Sequence, residues 1–200
     1  TITTAITEGR RIFDNCISNF LYNLSSNFTE IAIILFGLFT GNTVISAIHV
    51  LYIDLVAVTI PSITLAFEKS SKDTMKRKPN GLNKRIFTKF FSAFLIASVI
   101  LETIISLIVY HHFKDQGVVL AQTLALLSII VNEFVFAYNC RSLKERISKR
   151  GFFSNKYLNL GILFLLIIQV LVFFTPVGKL FGLTIISASQ FIYVILINII

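Results

Sequence analysis

The sequence predicts an all-α, polytopic membrane helix bundle with six transmembrane helices, the first carrying a cytoplasmic stalk extension. Three observations carry this expectation. Of 200 residues, 55% are hydrophobic and the mean hydropathy is +0.81, too apolar for a soluble domain of this size. Six stretches come close to the roughly 20 apolar residues that a bilayer requires. Basic residues gather in alternate connections between those stretches, the asymmetry of the positive-inside rule.

In chain order, Thr1 to Ser18 read as a helix that starts in the cytoplasm and enters the first span, 17–39, without a break. The second span, 44–67, holds Asp54 and Pro61. The polar connection after it contains Pro79-Asn80-Gly81, a turn signal. The third span covers 87–110, a short outer loop follows, and the fourth span covers 118–138. A second basic connection leads to the fifth span, 157–174, and a short outer loop leads to the sixth, 183–200. No internal repeat, low-complexity linker or signal-peptide pattern is visible, so residues 1–200 read as one transmembrane domain. The abrupt helical start and the apolar finish read as cuts in a longer chain.

The net charge of +8 does not point to nucleic acid, because its distribution has a simpler reason. Lys69, Lys72, Lys76, Arg77, Lys78, Lys84, Arg85 and Lys89 lie between spans two and three. Arg141, Lys144, Arg146, Lys149, Arg150 and Lys156 lie between spans four and five, while the opposite loops carry only Lys114 and Lys179. Both termini and both basic connections are then cytoplasmic, with membrane lipid as the surroundings. Cys16 and Cys140 fall at cytoplasmic ends, without a CxxC spacing, and read as small packing residues.

Four carboxylates stand inside the apolar stretches: Glu30, Asp54, Glu102 and Glu133. No Lys or Arg accompanies them there, and an ionised group at the bilayer centre costs about 2.5–3.5 kcal/mol on insertion scales. A bound cation or protons would supply the missing positive charge. On the first span Asn15, Asn19, Asn23, Asn27 and Glu30 share one helix face, with Ser26 one turn before Glu30. Near the cytoplasmic end, Asn15 and Asn19 suit interhelical hydrogen bonding. At mid-membrane, Asn27 and Glu30 suit oxygen ligation of a cation. On the second span Pro61 lacks an N–H and clashes with the carbonyl four residues back, which frees the backbone at Ala57, one turn from Asp54. Freed carbonyls in broken helices are a way transporters hold cations, so the Ala57 carbonyl is a candidate backbone ligand. Glu133, next to Asn132, is a further candidate. Ser26 and Glu102 are additional ones, with a hydrogen-bonded packing role as the alternative for Glu102. His49 suits packing. No Walker A sequence, GxSxG, HExxH or EF-hand loop occurs, so no catalytic residue is assigned.

These residues resemble a known family. Glu8-Gly9-Arg10, followed by the run from Tyr22 to Glu30 (YNLSSNFTE), is similar to the fifth transmembrane helix of P-type cation-transporting ATPases of the calcium-pump type. The run from Leu51 through Pro61 to Phe67 resembles that family's sixth helix, and Asp73 to Pro79 resembles the DxMxRxP signature after it. Glu133, with Ala137 and Asn139, looks like the eighth-helix glutamate region. The resemblance implies helices five to ten, the carboxy-terminal membrane half of a pump. It implies Asn27, Glu30, Asp54 and Glu133 as metal ligands. The sequence departs from the family at Ala57 and Val58, which replace a threonine and an aspartate ligand, so one divalent site is expected rather than two.

The expected function is the ion-binding part of an ATP-driven cation pump in the cell membrane. Its cargo would be divalent, Ca2+ or Mn2+, with H+ counter-transport. ATP and Mg2+ would belong to domains outside this chain, and the amino-terminal helices and cytoplasmic domains of the same pump would be its partners. A proton or monovalent-cation P-type pump, and a non-enzymatic six-span carrier or assembly protein, stand as alternatives.

Overall fold

A computed structural model describes residues 2–70, 74–75, 88–141 and 151–199. The Pro79-Asn80-Gly81 turn, most of the Asp73 to Pro79 signature and much of both basic connections lie outside the described residues. α1 (Ile2–Thr40) is one unbroken helix. The second membrane segment has three parts: α2 (Ala47–Tyr52), a π-helical stretch (Ile53–Val58) and α3 (Thr59–Leu65). α4 (Lys89–Phe113) starts at Thr88, whose hydroxyl accepts from the Phe91 N–H. α5 (Val118–Cys140) follows a short turn at Lys114–Gln116. α6 (Lys156–Phe174) is capped by Asn155, which accepts from the Leu158 N–H. α7 (Ala188–Ile199) is the last described element.

Five of these helical segments are long and apolar enough to cross a membrane: Ile2–Thr40, Ala47–Leu65, Lys89–Gln116, Val118–Cys140 and Lys156–Phe174. The sixth stretch behaves differently from expectation. Among its described residues 12 are helical, and those before Ala188 are irregular. The cause is local. Gly182 takes a left-handed conformation (φ 73°), which ends the Pro176–Phe181 turn. The chain then spends its N–H groups on neighbours, Thr184 on the Thr123 hydroxyl and Ile186 on the Phe173 carbonyl.

α5 is the centre of the bundle. In its most apolar window 67% of residues are buried, against 28% for α4 and 33% for α6. α4 and α6 therefore present apolar faces outward (Ile100, Ile104 and Ile108; Leu163, Phe164 and Ile167), as helices that meet lipid must. α3 and α6 cross closely at Gly161, where an added methyl would come within 2.8 Å of the Ile60 side chain.

Candidate functional site

The second membrane segment shows what Pro61 does. The helix does not unwind near Ala57, as the sequence leads one to expect. It widens into a π turn over Ile53–Val58 immediately before the proline's own turn. A wider turn absorbs the clash that the pyrrolidine ring would make in a regular α-helix. The Asp54 carbonyl is taken by the Thr59 hydroxyl at 2.6 Å. Ala57 is fully buried on the inner side of the turn, and Asp54 is exposed on the outer side.

A polar seam runs between α1, α4 and α5. Ser25, Ser26, Thr29 and Glu30 line the buried face of α1, and Ser98, Glu102 and Ser106 follow at four-residue spacing on α4. Two rungs join the helices: the Ser25 and Ser98 hydroxyls at 2.8 Å, and the Thr29 hydroxyl donating to Glu102 Oε2 at 2.8 Å. From α5, Glu133 (1% exposed) faces the Tyr22 and Ser26 hydroxyls. Yet Tyr22 Oη, Ser26 Oγ, Glu133 Oε2 and Glu30 Oε1 are all buried without a partner in hydrogen-bonding geometry. Buried polar atoms are rarely left so, and a cluster of them marks a place where a ligand, ion or water belongs.

The sequence-predicted ligands are thus divided. Glu30 and Glu133 are buried, whereas Asn27 and Asp54 are exposed on a surface that no described residue covers. Glu30 links the two halves, since it interacts electrostatically with both Asp54 and Glu133. Among the described residues no three His, Cys, Asp or Glu side chains converge closely enough to hold a metal together. Ser26 and Glu102 belong to the inner seam. The donor set is almost wholly oxygen, which suits a hard cation.

Other polar residues of α1 serve packing. Asn19 Oδ1 accepts from the Ser62 hydroxyl at 2.7 Å, and Asn23 Nδ2 donates back to that hydroxyl at 3.0 Å. Asn15 donates to the carbonyls of Ala66 and Glu68. His49 is buried, with its Nδ1 facing the Ser46 N–H at 3.4 Å. Sequence reasoning passed over Glu68 and Arg141, which form a buried ion pair. Their only sequence signal was charge, and charge in those connections already had an explanation.

Comparison with known proteins places this site in context. Residues 42–200 match the family described as "Cation transporting ATPase, C-terminus". The chain is 27% identical over 219 aligned residues to calcium-transporting ATPase 1 of Bacillus cereus, covering 100% of this chain and 24% of that protein. It is 31% identical over 157 residues to a calcium-transporting ATPase of Listeria monocytogenes, covering 78% and 18%. It is 43% identical over 84 residues to the potassium-transporting ATPase alpha chain 2 of Homo sapiens, covering 42% and 8%. The chain spans a quarter or less of the length of these relatives. With a family match over most of its length and several membrane-crossing helices, the chain belongs to the P-type cation-transporting ATPases, as part of their carboxy-terminal region.

Proposed function

We propose that this chain is the carboxy-terminal half of the transport domain of an ATP-driven pump for a divalent cation, Ca2+ or Mn2+, with H+ carried in return. The observation that supports this reading most is the placement of Glu30. It is buried, has one unpartnered oxygen, and is near enough to Asp54 and Glu133 for both charges to act on it. Asn27, Glu30, Asp54 and Glu133 are the side-chain ligands, with the Ala57 carbonyl as a backbone ligand. Ca2+ takes 6–8 oxygens, and the open face at Asn27 and Asp54 is where amino-terminal helices of the same pump would add the rest. ATP, Mg2+ and the phosphorylated group belong to the cytoplasmic domains of that longer protein.

In this reading α1 extends into the cytoplasm as a stalk, α7 belongs to a sixth span, both termini are cytoplasmic and the protein resides in the cell membrane. A cation neutralises carboxylates whose burial otherwise costs free energy, which makes protons natural competitors and counter-ions. A monovalent cargo is the second reading. It is favoured by the apolar Ala57 and Val58 beside Asp54, and by the similarity to a relative named as potassium-transporting.

The test is ATPase activity of the full-length protein in lipid, scanned over Ca2+, Mn2+, Mg2+, Na+, K+ and pH. Stimulation by Ca2+ or Mn2+, with Asp54→Asn and Glu30→Gln each weakening half-activation by about tenfold or more, is the expected outcome. Stimulation by a monovalent cation alone would transfer the assignment to the second reading. Wild-type affinity in both variants would remove these residues from the site.

A further inference from the structure

Three helix ends, and the flank of a fourth helix, meet around one buried ion pair. Glu68, just beyond α3, is 2% exposed, and Arg141, just beyond α5, is 3% exposed. Arg141 Nε donates to Glu68 Oε2 at 2.9 Å and Nη2 donates to Oε1 at 3.1 Å, the parallel fork geometry. Nη1 donates to the carbonyls of Gly151 at 3.2 Å and Phe152 at 2.9 Å, and Nη2 also donates to the Ser154 hydroxyl. A guanidinium carries five N–H donors, and these acceptors use all of them.

The pair reaches two further helices. Asn155, the cap of α6, donates to Glu68 Oε2 at 2.9 Å and to the Thr64 carbonyl at 3.2 Å. From α1, Asn15 Nδ2 donates to the backbone carbonyls of Ala66 and Glu68, each at 2.9 Å. The ends of α3, α5 and α6 are thereby tied at one point, and α1 is attached to the backbone of the same point.

A buried ion pair is a weak device for stability alone, because apolar residues of similar volume often do as well or better. Geometry is what this one supplies. α3 continues from the π turn that carries Asp54, and α5 carries Glu133 eight residues before Arg141, about 12 Å along the helix.

We propose that Glu68 and Arg141 are positioning residues for cation transport: their ion pair sets the register of the segment bearing Asp54 against the helix bearing Glu133, and Asn15 passes displacements of α1 to it. This rests on the reading of the chain as part of a cation pump. Neither residue touches the cation. They act as supporting residues around a metal site do, whose loss typically changes affinity by about 10–100-fold.

The decisive variant is the double substitution Glu68→Met/Arg141→Met in the full-length protein in lipid, since it removes both members of the pair together instead of stranding one of them. Three quantities are measured: thermal midpoint, half-activation of the ATPase by its cation, and cations moved per ATP hydrolysed. The expected result is a folded protein with half-activation weakened by about tenfold or more, or fewer cations moved per ATP. Arg141→Lys should fail to restore the wild-type values, because an ammonium cannot reproduce the fork. A folded double variant with wild-type affinity and stoichiometry overturns the proposal while leaving the pump reading intact. Should the double variant not fold, Glu68→Gln, which keeps the shape and one acceptor oxygen, is read by the same two criteria. A wild-type ATPase that ignores every cation overturns the pump reading, and this proposal with it.

Discussion

Thr29 illustrates how individual polar residues act inside this bundle. Its hydroxyl holds one oxygen of Glu102, 73 positions away, at 2.8 Å. In water-soluble cores, orphaning such an acceptor costs about 1–3 kcal/mol. Between membrane helices the measured average is nearer 0.6 kcal/mol, because the separated helices also find partners. The membrane figure governs here. Thr29→Val should therefore lower stability by about 1 kcal/mol or less, and a thermal scan of the purified protein checks it. A much larger drop would mean that the Glu102 carboxyl depends on Thr29 for more than one hydrogen bond. The identities of these residues were legible in the sequence, but their roles were not. Asn27 and Asp54 looked like interior groups because they share apolar stretches with Glu30. Their exposure depends on which neighbours cover them, and no described residue does. Glu68 and Arg141 were invisible as a pair, because nothing local ties positions 73 apart.

At the scale of the element, the π turn at Ile53–Val58 is the feature with most leverage. Proline in a helix interior costs about 3 kcal/mol, so its presence needs a reason beyond folding. Pro61→Ala would let the turn close to regular α-helical geometry, rotating Asp54 relative to Ala57. The expected outcome is opposite signs in two assays: unchanged or raised thermal stability, and cation half-activation weakened by about tenfold or more. If stability rises with no change in affinity, the turn is a packing device only. A break at this place was legible from Pro61, while its form was not, since a π turn and an unwound segment answer the same clash. The last apolar stretch is the converse case, helical over Ala188–Ile199 but not before it. Composition alone read 183–200 as a span, yet backbone donors at Thr184 and Ile186 find tertiary partners instead of helical ones.

For the whole molecule, the order of the helices follows from the apolar pattern, whereas the central place of α5 and the outward sides of α4 and α6 do not, because all three helices are apolar nearly all round and only packing distinguishes their faces. The sequence shows where apolar segments begin and end, but not which of them the others surround. The division of the site between a buried seam and an open face is also a whole-molecule property. If cation and protons occupy the same carboxylates, apparent cation affinity should fall as pH is lowered from about 8 to 6, because ligands must lose protons before they bind metal. Half-activation measured at several pH values in that range tests this, and a flat profile would separate proton binding from the cation site.

One dimension of α1 has a mechanical meaning. A helix of 39 residues without interruption is about 58 Å long, nearly twice the roughly 30 Å of hydrocarbon in a bilayer. Its buried residues begin only at Asn15, and before that Arg10 and Arg11 tie it to the carbonyls of Thr74 and Glu68, so the rod is held along its cytoplasmic part by side-chain contacts rather than by packing. Turning such a rod by about 5° around its midpoint shifts each end by about 2–3 Å. That is the difference between a cation ligand in contact and one out of reach. A stiff beam transmits this without loss, whereas a single flexible joint along it would dissipate the motion. α1 lacks Pro and carries Gly only toward its two ends, at Gly9 and Gly37, which is a statement about stiffness: a Gly-Gly or Pro inserted near Asn15 should leave every ligand in place and still disconnect the two ends.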